Sequence, residues 1–488
     1  MSGGALILLA LAIPIGGAFL IWAAGRVALL REAASLITAC ALFAVVAVLT
    51  PSVMAGERPA ISLFEFAPGL AFAFEVEPLG MLFALLASFL WIVTTIYTIG
   101  YLRANGGPHQ TRFHICFSAA LAGAVGVAFA ANMLTLFFFY EALTLSTYPL
   151  VAHYGTEEAR LGARRYLAIL LSTSIMLLLL AILWTWVAVG TLDFRAGGIL
   201  MGAVSEPVMA VLLVLYVFGV GKAALMPFHG WLPAAMVAPT PVSALLHAVA
   251  VVKAGVFTIV KIALYIFGLD AIRDFASADW LFYVAGATIL IASLIALRQD
   301  NLKRRLAYST VSQLSYVVLG AAIANAHAVM GGAMHIAMHG FAKITLFFCA
   351  GAIITAAGKT EISQLDGIGR RMPVTMTAFA IGSLALIGLP PFAGAWSKYY
   401  LVRGMLDDGA YALLAVLFVS SLLNALYFLP IVIRAFFPTG ARPFPAGGGI
   451  AEAPKLQLLA ISITALGSVA LFAYPKFLFD LLEPLVGP

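Results

Sequence analysis

Apolar runs long enough to cross a bilayer recur fourteen times along this 488-residue sequence. In lipid every backbone N–H and C=O must be satisfied within the protein, so a continuous apolar run of about 20 residues has to be a helix. The runs lie near 4–24, 33–50, 78–99, 113–131, 133–152, 166–188 and 207–226. Seven more lie near 241–262, 280–297, 306–324, 329–355, 374–400, 411–433 and 457–479. The expected fold is therefore an all-α polytopic membrane protein. Composition agrees, because 63% of the chain is hydrophobic and only 10% is charged, against about 25% charged in a soluble domain.

Charge supplies orientation. With Met1 outside and fourteen alternating spans, seventeen basic residues fall in inside loops and five in outside loops. That is the positive-inside bias. It predicts a multi-pass protein of the cell inner membrane with both termini on the outer, periplasmic side. The first run has no basic residue before it, and Arg26 and Arg31 follow it, so it reads as an uncleaved span and not as a secretory signal. Cys40, Cys116 and Cys349 lie far apart in apolar runs. They suit neither a disulfide framework nor a metal or iron–sulfur site, so no cofactor or metal is expected in this chain.

Six ionisable residues remain inside the runs: Glu141, Lys222, Lys253, Lys261, Lys343 and Lys398. A charge at bilayer depth costs at least about 2.5–3.5 kcal/mol, and such residues usually mark an ion or proton route. Glu141, in FFFYEALTLSTYPL, stays ionised in lipid only beside a cation, and Lys222, in VFGVGKAALMPFHGWLP, is its natural partner. The bland alternative is a static pair stapling two helices. Pro227 and Pro233 predict a helix break just beyond Lys222, and broken helices expose backbone groups that hold water or ions. Lys261 lies nearer a helix end and reads as snorkelling to the interface.

His247 and Lys253 differ by six positions, roughly 9 Å in depth, which suits stepwise transfer better than a shared ligand site. His335, His339 and Lys343 follow at i, i+4, i+8 on one slowly rotating face. Two histidines at that spacing can bind zinc. The HExxH glutamate is missing, however, and Lys343 would repel a cation, so a proton ladder explains the set better. Lys398 ends LIGLPPFAGAWSK, where Pro390, Pro391 and Gly394 break the helix upstream. A helix break beside a buried lysine thus occurs twice, and paired interruptions of this kind suggest an internal repeat.

At these residues the chain resembles a known family, the antiporter-like subunits of respiratory complex I, of Mrp-type cation/proton antiporters and of membrane-bound hydrogenases. The resemblance runs over roughly residues 75–435 and rests on YEALTLSTYPL, GKAALMPFHGWLPAAMVAPTPVSALLHA, LKRRLAYSTVSQLSY, HIAMHGFAKITLFF and GLPPFAGAWSK. It implies about fourteen transmembrane helices with two inverted five-helix repeats, each containing a broken helix. The divisions would be 1–112 for helices 1–3, 113–265 for the first repeat, 280–436 for the second and 455–482 for helix 14.

The same resemblance implies a proton pathway through Glu141, Lys222, His247, Lys253, His335, His339, Lys343 and Lys398. A half-channel would open through the first repeat and leave through the second, with Lys398 at the exit. The complex I subunit at the distal end carries a long C-terminal lateral helix. This chain stops soon after its last run, which favours a shorter, middle-type or Mrp D-type subunit.

The expected function is translocation of protons, or of sodium against protons, as one subunit of a multi-subunit membrane complex. Its partners would be other membrane subunits and the bilayer, with no nucleic acid. No catalytic site is expected here, although the complex could be an NADH:quinone oxidoreductase. Two alternatives stand: an autonomous secondary transporter of a small solute, which would need its own substrate pocket, and a quinone-binding redox subunit.

Overall fold

The computed structural model describes residues 2–274, 278–437 and 449–487. The first six helices are α1 (Gly3–Ala23), α2 (Ala28–Met54), α3 (Pro78–Asn105), α4 (Gln110–Phe129), α5 (Met133–Val151) and α6 (Glu157–Val189). Next come α7 (Glu206–Gly219), α8 (Val251–Ile262), α9 (Trp280–Arg298), α10 (Leu302–Ile323) and α11 (Ala326–Ala357). Then come α12 (Pro373–Ile387), α13 (Gly394–Asp407), α14 (Tyr411–Phe436) and α15 (Lys455–Ala473), and the short helices Trp231–Ala234, Thr240–Ala244, Leu269–Asp274 and Lys476–Leu482 link or follow these elements. Eleven helices among the described residues are long and apolar enough to cross a membrane.

Local chemistry sets the boundaries. The side chains of Asn132, Asn301 and Asn325 accept hydrogen bonds from Thr135, Arg304 and Ala328 backbone N–H groups at 2.9, 3.1 and 2.8 Å, capping α5, α10 and α11. Gly358 and Gly388 end α11 and α12 at φ of +63° and +91°, where a Cβ would be strained.

Three expected spans are not continuous helices. The run near 207–226 stops at Gly219, before Lys222 and not beyond it. The backbone then passes through a tight turn, Gly221–Ala223, that carries the lysine. Proline marked only the downstream limit of this break. The upstream limit comes from groups on other helices that satisfy the turn: the Lys222 N–H donates to the Tyr140 hydroxyl at 3.1 Å, and Trp231 Nε1 donates to the Gly221 carbonyl at 2.9 Å. The run near 241–262 is a short helical turn, a π-helical segment Leu245–Val249, and α8. The run near 374–400 breaks between Ile387 and Gly394.

One segment outside the apolar runs also takes regular structure. Ala60–Ala67 and Leu70–Glu75 pair as an antiparallel hairpin, turning at Gly69, whose N–H donates to Glu65 Oε1 at 2.9 Å. Its alternating ISLFEFA and LAFAFE patterns carry that signal.

Helix α11 packs against α3, α10, α12, α13 and α15 and forms the centre of the molecule. Small residues permit close approach between helices in lipid. A Cβ on Gly331 would lie 2.7 Å from the Leu401 nitrogen and 2.9 Å from the Ser397 carbonyl oxygen. Glycine there brings α13 within reach of the α11 histidines. Gly255 does the same on α8, where a Cβ would lie 2.3 Å from the Lys222 backbone.

Candidate functional site

Lys222 is fully buried in its turn. Its ammonium donates to the Tyr140 carbonyl at 2.7 Å and the Thr144 hydroxyl at 2.6 Å, and lies 3.1 Å from the centre of the Tyr140 ring. The expected direct pair with Glu141 does not form. Both Glu141 carboxylate oxygens are buried without a hydrogen-bond partner among the described residues. The reason is helical geometry. Tyr140 and Thr144 are i, i+4 and share the face that Lys222 meets, whereas Glu141 is rotated about 100° away. Its face carries Phe138 and Leu145, both exposed on the outside of the bundle.

Lys253, on α8, is also fully buried and shares a hydrogen bond of 2.7 Å with His339 Nδ1 on α11. The His339 and His335 rings are 5.6 Å apart, as i, i+4 spacing predicts. His335 Nδ1 is 2.9 Å from the Ser397 hydroxyl on α13, one residue before Lys398. His335 Nε2 is buried and finds no partner among the described residues. Four side chains from three helices therefore form one line from α8 toward the second break. His247 stands in the π-helical segment Leu245–Val249, and its side chain lies outside the described residues.

Lys343 belongs to a second branch. Its ammonium donates to Ser309 Oγ at 2.9 Å and the Leu306 carbonyl at 3.3 Å, both on α10. The Tyr427 hydroxyl donates closely to Asn424 Oδ1 and lies 3.2 Å from the same Ser309 oxygen. Lys398 donates to the Ile387 carbonyl at 2.9 Å, capping the broken end of α12, and to Ser421 Oγ at 2.8 Å. Ser420, in turn, accepts from the Tyr316 hydroxyl at 2.8 Å. A polar stripe on α14 thus joins the surroundings of Lys343 and Lys398.

The sequence reading missed Tyr140, Thr144, Ser309, Ser397, Ser421, Asn424 and Tyr427. One signal was available, because Ser420, Asn424 and Tyr427 recur at i, i+4, i+7 within an apolar run. The snorkelling expectation for Lys261 is also corrected. This residue is buried, with its ammonium 3.5 Å from Glu77 Oε1 and donating to the Ala130 carbonyl at 2.8 Å. Glu77 caps α3 through the Leu79 and Gly80 N–H groups, which anchors the carboxylate beside the lysine.

Comparison with known proteins shows the family. The family described as "NADH:quinone oxidoreductase/Mrp antiporter, TM" matches residues 130–424. Subunit N of the NADH-quinone oxidoreductase of Desulforudis audaxviator is 35% identical over 408 residues, covering 81% of each chain. Chain 5 of the NAD(P)H-quinone oxidoreductase of Synechocystis is 32% identical over 345 residues. That match covers 67% of this chain but 49% of the relative, so the chain spans about half the length of that protein. Among solved structures, a chain of the Mrp complex from Dietzia sp. has a TM-score of 0.86 at 23% identity, covering 99% of this chain and 97% of its own. A chain of the membrane-bound sulfane sulfur reductase, an archaeal respiratory membrane complex, also has a TM-score of 0.86 at 23% identity, with 98% and 97% covered. These two likenesses concern the fold. With a family match over more than half its length, this multi-pass membrane protein belongs to the NADH:quinone oxidoreductase/Mrp antiporter transmembrane family.

Proposed function

We propose that the chain translocates protons, or sodium against protons, as one subunit of a multi-subunit membrane complex. The observation that carries this reading is the buried line Lys253–His339–His335–Ser397, ending beside Lys398, with links of 2.7 and 2.9 Å. Protonatable groups at that spacing pass protons between neighbours. Lys222 and Glu141 form the first station, His247 adjoins the line through its helix, Lys343 feeds it through the α14 stripe, and Lys398 is the exit. The relatives' membership of respiratory and antiporter complexes supports the assembly. So does Glu141 itself. Its carboxylate is buried without a hydrogen-bond partner among the described residues, beside Phe138 and Leu145 exposed at 58% and 57%, and a partner subunit that adds a polar or cationic group there would relieve its cost at bilayer depth.

On this reading the chain has fourteen spans, counting the interrupted helices, and two inverted repeats at 113–265 and 280–436 flanked by 1–112 and 455–482. It lies in the cell inner membrane with both termini outside. A reporter active only in the cytoplasm, fused after Pro488, should stay dark; a bright signal would break the fourteen-span count.

Transport is tested by isolating the chain with its natural partners, reconstituting the complex in vesicles and following proton flux with a pH-sensitive dye. Lys222→Arg keeps a cation over Tyr140 but does not release its proton. Flux should fall at least tenfold in an intact complex. Parental flux would remove deprotonation of Lys222 from the mechanism and return this residue to a structural role.

A further inference from the structure

A cavity of about 550 Å³, away from the proton line, opens where the start of α4, the end of α5 and the start of α6 meet. Its lining is one-sided in charge. Arg112, Arg160 and Arg164 contribute guanidinium groups, His109 and His153 imidazoles, and no carboxylate lines it. None of the three arginines forms an ion pair among the described residues, although Glu157 and Glu158 open the same helix as Arg160 and Arg164.

The inner wall carries a buried imidazole. His153 is 1% exposed, yet neither ring nitrogen makes a hydrogen bond of normal geometry. The Pro108 carbonyl lies close enough to act on it, and Arg112 is engaged with the His153 carbonyl oxygen at 3.2 Å. Burial first, then the charges of Arg112 and His109, holds the His153 imidazole down at about 4. At neutral pH it is therefore neutral, and its single N–H faces the Pro108 carbonyl. Tyr148 and Tyr154 line the same cavity, half-buried and exposed respectively, as amphipathic rings do at the level of lipid headgroups.

Repelling cations are not gathered around a cavity for stability. We propose that this cavity binds a phosphate group, with Arg112, Arg160 and Arg164 surrounding its oxygens and the neutral His153 ring closing the buried wall behind them. Arginine suits the task because its planar fork meets phosphate oxygens in pairs. The basic residues and the tyrosines together match the phosphodiester of an anionic phospholipid, and inorganic phosphate shares the same chemistry.

The test uses the chain assembled with its natural partners, and its readout is binding, so it stands or falls separately from proton transport. The complex is placed in nanodiscs of phosphatidylcholine with a minor fraction of phosphatidylglycerol, and the lipid retained after washing is measured. The wild type should retain phosphatidylglycerol selectively. Each Arg→Gln change at 112, 160 or 164 should weaken retention about fivefold, and the three together roughly a hundredfold. Arg298→Gln, at the end of α9, should leave it unchanged.

Inorganic phosphate added to nanodiscs of phosphatidylcholine alone distinguishes the sources. Broadening of its phosphorus resonance by the wild type, and not by the triple variant, would assign the site to the soluble ion. Should the triple variant fail to assemble, phosphatidylglycerol carrying a photoreactive headgroup can label the wild type. Adducts within 108–164 support the site, and adducts only elsewhere overturn it. Equal retention by wild type and triple variant, with no phosphate broadening, also overturns it. So does a partner subunit's acidic side chain found paired with these arginines.

Discussion

Lys253→Met should abolish proton flux while leaving the assembled protein about as stable as the parent or more so. Flux depends on this residue because Lys253 supplies the 2.7 Å contact between α8 and the histidines of α11. Methionine fills a similar volume but carries no proton, so transfer would have to cross a gap with no titratable group. We expect a fall of at least a hundredfold in reconstituted vesicles. Stability moves the other way. A lysine held at bilayer depth costs about 2.5–3.5 kcal/mol, and methionine removes that cost. His339 loses a partner, which costs about 1–3 kcal/mol. The two terms leave a net change between a loss of about 0.5 kcal/mol and a gain of about 2.5 kcal/mol. Thermal unfolding of the solubilised complex checks the second half of the prediction, and dye quenching the first. Flux within twofold of the parent in a correctly assembled complex would remove Lys253 from the route.

Lys398 gives the second large effect, and here structure and transport should fall together. Its ammonium donates to the Ile387 carbonyl, the last residue of α12, where a helix end leaves acceptors unpaired. Lys398→Ala removes the proton carrier and orphans that carbonyl and the Ser421 hydroxyl. The two orphaned acceptors together cost about 2–6 kcal/mol against the about 2.5–3.5 kcal/mol that removing a buried lysine returns, so a loss of up to about 3.5 kcal/mol in stability should accompany the loss of flux. Lys398→Arg separates the two roles. The guanidinium can still donate to Ile387, so stability should return, but its proton stays bound and flux should remain abolished. A carboxylate would be worse than alanine at this position, because it would face the negative end of α12. If Lys398→Arg carries protons at the parental rate, the exit lies elsewhere.

Legibility followed energy. The charged members of the site were visible because each is expensive in lipid: Glu141, Lys222, Lys253, Lys343 and Lys398 stand out in apolar runs. Hydroxyls and amides cost far less, so Ser309, Ser397, Ser421 and Thr144 look like ordinary helix residues in one dimension. Three-dimensional packing gives them meaning, by setting Ser309 against Lys343 and Ser397 against His335. The same limit explains the Glu141 expectation. The sequence showed one acid and one base that needed relief, but not that Lys222 would settle on the neutral oxygens of Tyr140 and Thr144. Lys261 was misjudged for a related reason. Its partner, Glu77, sits 184 positions upstream in a loop segment, where nothing local announces a buried carboxylate.

What the sequence determined by itself was everything governed by solvent. Lipid permits helices and excludes charge, so run lengths, loop charges and stray ionisable residues predicted a helical membrane bundle and the identity of its costly groups. What tertiary structure decided was everything governed by neighbours. The α7 helix ends at Gly219 because Tyr140 and Trp231 reach the turn that follows. The α11 histidines meet Lys253 on one side and Ser397 on the other because α8, α11 and α13 pack together with glycine at close contacts. Solvent acts on each segment separately and leaves its mark in composition. A hydrogen bond between helices depends on two distant segments at once, and only folding brings them together.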